Sequence, residues 1–404
     1  MERAFNWFGF ALLKRSLPWL LGASCLLEVF LTSEMLNIPL LAAILSSAKL
    51  ILFILMGISL LADVVLLRLR LSLGLLLVLL FFGLGIGIYI ATGWRTLFIL
   101  LPLLLLALKD CDFERVAFAA GALIGIGTVL VILLALIGVL PNEVFSYRGE
   151  MERYTLGFTY ATMSQSLVFF AALSLNYALK DKTPYWLLAL EFILPIFVYT
   201  QTDTRTGLGL TLVIVAVTLA HKLLAQKGKS LAALLAFLQR PWAYNTLCFF
   251  PLLLFLLFGL LVFLYAKGNA FAIELNGFFS NRLALTANAF SSPGLSLFGQ
   301  SVSWMEGDVY IGVDSSWYFY LFNMGVFGFL TVMTIDVLAM RHALKTGNHW
   351  LLFALFMCFA NGLFEAYLCD VRYNVFALSL AFIVNQKPLS FFKKQKESEK
   401  SSLE

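Results

Sequence analysis

Apolar runs of about twenty residues recur along nearly the whole chain, and this pattern limits the fold more than any other feature. A helix of roughly 20 apolar residues matches the hydrocarbon core of a bilayer. A lone strand in lipid would leave its backbone polar groups unpaired, so helices are the conformation these runs must take. The runs predict helices near 17–36, 46–67, 71–92, 95–108, 115–140, 158–178, 185–201, 205–221, 246–266, 314–340, 349–366 and 372–386. Composition agrees, because 13% charged residues against 61% hydrophobic ones is too little charge to cover a wetted surface. The expectation is an all-α, polytopic membrane protein with about 12 transmembrane helices. Its integral domain covers 1–386, and a charged, disordered tail covers 387–404.

The N-terminus lacks a small-residue cleavage site after a short apolar core, so Trp19 to Val29 reads as part of a retained first helix. Orientation follows from Lys and Arg, which gather on the cytoplasmic side of membranes. With both termini cytoplasmic, 20 of the 28 basic residues fall inside; the inverted frame leaves eight there. The eight outer ones are Lys49, Arg95, Arg148, Arg153, Arg205, Lys267, Arg282 and Arg372. Six are Arg, whereas the inner set has 7 Arg and 13 Lys. Lys suffices for orientation, but Arg offers a permanently charged fork that grips phosphate in a bidentate manner. The outer arginines therefore point to an anionic ligand on that face. Scattered basic residues give no nucleic-acid surface, and the five cysteines lack metal-binding spacing and read as buried apolar residues.

Two outer loops, 141–157 and 267–313, have room for chemistry. In the first, Arg148 and Arg153 precede a helix N-terminus, a natural anion site, although two solvated cations would look the same. Asp203 and Arg205 sit in the tight turn TQTDTRTG, as a pair or as functional charges near hydrocarbon. In the large loop, Arg282 precedes ALTANAF, which has the apolar spacing of a short helix lying on the membrane. Asp314 opens the next span, either as its N-cap or as a base. Glu365, Asp370 and Arg372 lie between the last two spans, with Glu365 as a base or a counter-ion. The three histidines fall on the cytoplasmic side, and no metal-ligand spacing, phosphate loop or nucleophile elbow is present. Chemistry on the outer face is thus expected to rest on arginines and carboxylates, without a metal or other cofactor.

In order and sidedness these pieces resemble the superfamily of Wzy-type polysaccharide polymerases and O-antigen ligases. The resemblance rests on RYTLGF at 153–158, TRTG at 204–207, NRLAL at 281–285, the Phe298-Gly299 pair and GVFGFL at 325–330. Ligases of that group resemble one another in a His-Asn after the large loop. Here the place reads Asp314-Ser315, closer to the Asp-Asn-x-Tyr of polymerases, with Ser315 in place of Asn. The resemblance implies a metal-independent, GT-C-like glycosyltransferase in the cytoplasmic membrane. It would move a growing glycan from undecaprenyl pyrophosphate to the non-reducing end of a lipid-linked repeat unit. Arg205 and Arg282 would hold the pyrophosphate leaving group, and Arg153 and Arg148 the second lipid phosphate. Asp314 would be the base, with Glu365 and then Asp203 as the other candidates; an Asp203 paired with Arg205 would serve orientation. The bilayer, the lipid-linked oligosaccharide and a chain-length regulator are the implied partners. The alternatives are ligase-like transfer to a terminal acceptor and a lipid-linked oligosaccharide flippase. A flippase predicts several charges in mid-span, of which Glu191 is the clearest here.

Overall fold

A computed structural model describes residues 8–66, 69, 72–93, 97–147, 151–226, 240–306 and 309–384. Arg95, Arg148, the basic stretch 227–239 and the expected tail 387–404 lie outside the described residues. The apolar runs of the first half fold as α1 (Phe8–Leu31), α2 (Pro39–Val65), α3 (Leu73–Thr92), α4 (Leu97–Ala107) and α5 (Phe113–Leu136). Next come a hairpin, β1 (Val144–Tyr147) with β2 (Met151–Tyr154), and then α6 (Ala161–Leu179), α7 (Tyr185–Thr202) and α8 (Arg205–Gln226). The second half holds α9 (Pro241–Cys248), α10 (Phe250–Ala266), α11 (Ala270–Phe278) and α12 (Arg282–Ser291). A second hairpin, β3 (Ser303–Glu306) with β4 (Val309–Gly312), precedes α13 (Ser316–Asn323), α14 (Gly325–Thr346), α15 (His349–Gly362) and α16 (Ala381–Val384).

Among the described residues, six helices (α2, α3, α5, α7, α8 and α14) are long and apolar enough to cross a membrane. The α9–α10 pair, bent by 59°, makes a seventh if it is one span. Leu40, Leu80 and Ile90 stand largely exposed on such helices. Faces of this kind are stable only where the surrounding solvent is itself apolar, so the chain is an all-α, multi-pass membrane protein. At the centre lies α6, buried along most of its length. Small residues bring its neighbours close: α5 meets α6 where Gly121 faces Ala171 and Ser174, and α1 meets α5 where Gly22 faces Ala119.

Three of the expected spans differ from continuous helices. The ninth bends at Phe249, where Pro251 has no N–H to return to the preceding turn. The tenth breaks at Met324, between α13 and α14. There the free amides of Val326 and Phe327 donate to Ser296 O (2.9 Å) and Leu297 O (3.2 Å) in the preceding loop. Gly299 (φ 98°) and Gly325 (φ 74°) face each other at this clasp, and a Cβ on Gly299 would overlap the Asn323 carbonyl. The Phe298-Gly299 and Gly325 motifs read in the sequence are thus one contact.

The run 372–386 is the largest departure. Instead of a helix of that length it forms a 3-10 turn at Val375–Leu378 and the single turn α16. The segment nonetheless threads the bundle. Val371 O accepts from Cys25 Sγ (3.7 Å), Phe376 packs between Phe113 and Tyr177, and Val384 O accepts from Ser72 Oγ (3.2 Å). Asn374 supplies local pairing, donating to Leu368 O (2.6 Å) and accepting from Phe376 N (3.1 Å). Such local bonds compete with helix, and non-helical backbone at membrane depth is tolerated when protein surrounds it. At the Ser72 end, Lys14 pairs with buried Asp63, and Lys109 Nζ lies 4.0 Å from the same carboxylate.

Candidate functional site

The other end of the bundle carries the candidate chemistry. Arg282 is the first residue of α12 and follows two consecutive left-handed residues, Ser280 and Asn281. Asn276 fixes this corner: its Oδ1 accepts from Ala284 N (3.1 Å) and its Nδ2 donates to Asn281 Oδ1 (3.2 Å). The guanidinium then spreads over three acceptors. Nε donates to Phe364 O (2.6 Å), Nη1 to Phe279 O (3.4 Å) and Nη2 to Glu365 Oε1 (3.1 Å). Asp314 Oδ2 lies 3.9 Å from Nε. The Phe364 ring, stacked on Phe279 at 5.3 Å, backs the cation. Arg282, Asp314 and Glu365, three residues singled out in the sequence, therefore converge.

The two carboxylates differ in setting. Glu365 lies beyond the end of α15 with its side chain 12% exposed. Burial pushes its carboxyl up to about 7, Arg282 pulls it down, and Asp314 raises it again. A group poised near neutrality suits proton transfer. Asp314 is 51% exposed. The surrounding protein still raises its carboxyl above the usual range, and Arg282 draws it back. The N-cap of α13 is Ser315, so the capping role considered for Asp314 is not the one it plays.

The first turns of α13 hold Glu365 in place. Ser316 Oγ donates to Glu365 O (2.5 Å) and accepts from Leu368 N (3.2 Å). One turn on, Tyr320 Oη accepts from Cys369 N (2.8 Å) and donates to Ala366 O (3.4 Å). Ser315 Oγ reaches Gly362 O at 3.5 Å. Sequence reasoning passes over Ser316 and Tyr320, although their i, i+4 spacing places both on one helical face.

A second cluster forms where α7 meets α8. Asp203 caps α7 in a left-handed conformation (φ 48°), turning its carboxylate between two arginines. Arg153 Nη2 lies 3.2 Å from Oδ2 and Arg205 Nε 3.5 Å from Oδ1. The expected Asp203–Arg205 pair is present, but the closer partner is Arg153, delivered by the β1–β2 hairpin, where it pairs in register with Phe145. Arg205 leaves 76% of its side chain exposed. Tyr367, two residues past Glu365, donates to Met163 Sδ (3.8 Å) on α6. Two residues on, Gln165 packs under Gly207 of α8.

Arg372 takes a different course. Its Nη1 bonds Glu28 (2.6 Å), while Nε and Nη2 grip Asp370 (2.7 and 2.6 Å). Lys49 adds a second bond to Glu28. Deeper in the bundle, Glu191 accepts from Asn176 (2.6 Å) and Asp336 from Trp317 Nε1 (3.0 Å). Among the described residues no three His, Cys, Asp or Glu side chains gather as a metal-binding group. Compared with protein families, curated proteins and solved structures, the chain matches none.

Proposed function

We propose that this protein is a membrane glycosyltransferase that polymerises lipid-linked glycan on the outer face of the cytoplasmic membrane. The observation that carries the reading is Arg282 held between Glu365 and Asp314, with Arg205 exposed beside Asp203 at the same end of the bundle. In this reading the chain crosses twelve times with both termini in the cytoplasm, the broken tenth pass and the threaded final segment included. The basic-residue distribution supports that orientation.

The chemistry is displacement at an anomeric carbon. The acceptor sugar hydroxyl forms the new C–O bond, the bond to the undecaprenyl pyrophosphate breaks, and its electrons stay on the leaving phosphate. Cations already in place where that charge grows lower the barrier directly. Arg282 and Arg205 fill this role, with Arg153, and Arg148 outside the described residues, on the second lipid phosphate. Asp314, half exposed, takes the hydroxyl proton. Glu365, when protonated, leaves Arg282 with Asp314 as its remaining counter-charge and so more available to phosphate. Asp203 orients Arg153 and Arg205 together. A chain-length regulator is the further partner this reading calls for.

The test is deletion of the gene followed by gel analysis of lipid-linked and surface glycans. Single repeat units accumulating while long chains vanish is the expected result, reproduced by Arg282→Ala and Arg205→Ala. Persistent long chains that stay unattached identify a ligase, and unchanged glycans refute both.

A further inference from the structure

We propose that α11 is an interfacial anchor lying in the leaflet at the site end of the bundle, with Phe271, Leu275 and Phe278 in hydrocarbon and Glu274 in water. The inference stands on α10 being part of a span and does not depend on the glycan reading.

Chain continuity sets the depth of α11. The apolar helix α10 ends at Ala266, and only Lys267, Gly268 and Asn269 separate it from α11. Asn269 N donates to Leu264 O (3.0 Å), and its side chain caps α11 by accepting from Ala272 N (3.2 Å). The apolar helix therefore ends here, and α11 starts after three residues, which on a span places α11 at the membrane surface. Lys267, with its ammonium 5.7 Å from the Phe263 ring, has the placement of a snorkelling interfacial cation.

The faces of α11 set its orientation. At 100° per residue, Phe271, Leu275 and Phe278 form one stripe. Phe271 is 61% and Phe278 77% exposed, while Leu275 is half-buried. Glu274 borders the stripe at about 40° from Phe278. Gly277 and Ile273 (51% exposed) lie beyond it, and Ala272 and Asn276 are buried on the opposite side. The preceding helix α10 carries an exposed apolar stripe of its own, Leu253, Leu256, Leu260 and Phe263. A short amphipathic helix at this depth is stable in the interface plane. The sequence points instead to ALTANAF as the helix on the membrane. That segment, α12, turns Leu283, Thr286 and Ala289 into the protein, and the interfacial role passes to its neighbour.

The anchor is coupled to the site. Asn276 of α11 locks the corner ahead of Arg282, and the Phe279 carbonyl and ring support the guanidinium and Phe364. Arg282 is thereby held at head-group depth, reached laterally by an amphiphile with an anionic head.

The test is site-directed spin labelling in lipid nanodiscs, with Phe271→Cys, Glu274→Cys and Phe278→Cys read for oxygen and nickel-chelate accessibility. Leu256→Cys on α10 is the lipid reference. The unsubstituted chain controls for its five native cysteines, four of them buried. High oxygen and low nickel accessibility at 271 and 278, matching 256 and reversed at 274, is the expected result. Aqueous accessibility at all three α11 positions overturns the proposal. So does exclusion of both reagents with dipolar broadening, which means that protein and not lipid covers the stripe. Photoactivatable lipid recovered on residues 270–278 of the unsubstituted chain supports the anchor without any substitution; its absence there, with labelling on α10, counts against it.

Discussion

Replacing Glu365 with Gln removes a titrating group and leaves an amide whose oxygen still accepts from Arg282 Nη2. Between the ordinary carboxylate value of 4.5 and the native value of about 7, the folded protein holds a proton that the unfolded chain has released. Native stability therefore falls as pH rises through that window, with no loss below it and the full loss above it. The full loss is about 3 kcal/mol. The side chain is only 12% exposed, so solvent screening takes little of it. Stability of wild type and Glu365→Gln would be measured by titration of mixed micelles with SDS, at pH values from below 4.5 to above 7. The variant-minus-wild-type difference cancels groups common to both chains, and it should grow in favour of Gln by about 3 kcal/mol across the window. A difference that stays flat with pH, or that grows in favour of wild type, refutes the account of Glu365 as a carboxyl raised by burial.

Two further outcomes follow from the packing. Gly299→Ala places a Cβ on the Asn323 carbonyl at a backbone conformation with φ 98°. It should cost about 2 kcal/mol or more, read as an earlier melting transition in detergent by fluorescence-detected size exclusion. Trp317→Phe removes the Nε1–H bond to buried Asp336 and should cost about 1–3 kcal/mol. A double-mutant cycle with Asp336→Ala should show coupling between the two, whereas additive losses deny the bond its energetic role.

The class of fold is legible because lipid reduces the choice to helices and hydropathy marks their positions. α3 at Leu73–Thr92 and α7 at Tyr185–Thr202 fall within two residues of their expected bounds. The run at 372–386 misleads for a physical reason. Hydropathy reports that a segment avoids water, and Val375 to Leu378 avoid it among protein side chains as fully as a helix in lipid would. Within the candidate site, Arg282, Asp314 and Glu365 can each be suspected from residue type and sidedness. Arg153 closing on Asp203 spans 50 positions, and Arg372 closing on Glu28 spans 344; neither has a local signature. Ser316 and Tyr320 stay hidden because a hydroxyl serving one backbone carbonyl looks in sequence like any buried Ser or Tyr.

The threaded C-terminal segment bears on how the chain assembles. A span that closes its own hydrogen bonds can enter the bilayer as an independent unit, but residues 368–384 cannot. Their polar backbone is satisfied partly by short turns and Asn374 within the segment and partly by Cys25, Ser72, Ser316 and Tyr320. The outside partners sit on α1, on the cap of α3 and on α13, so the segment keeps its backbone paired only where those three elements stand together. The segment thus locks three separate elements against one another, as a keystone locks an arch. Glu365 lies beside that stretch, so loosening the keystone would loosen the carboxylate that meets Arg282.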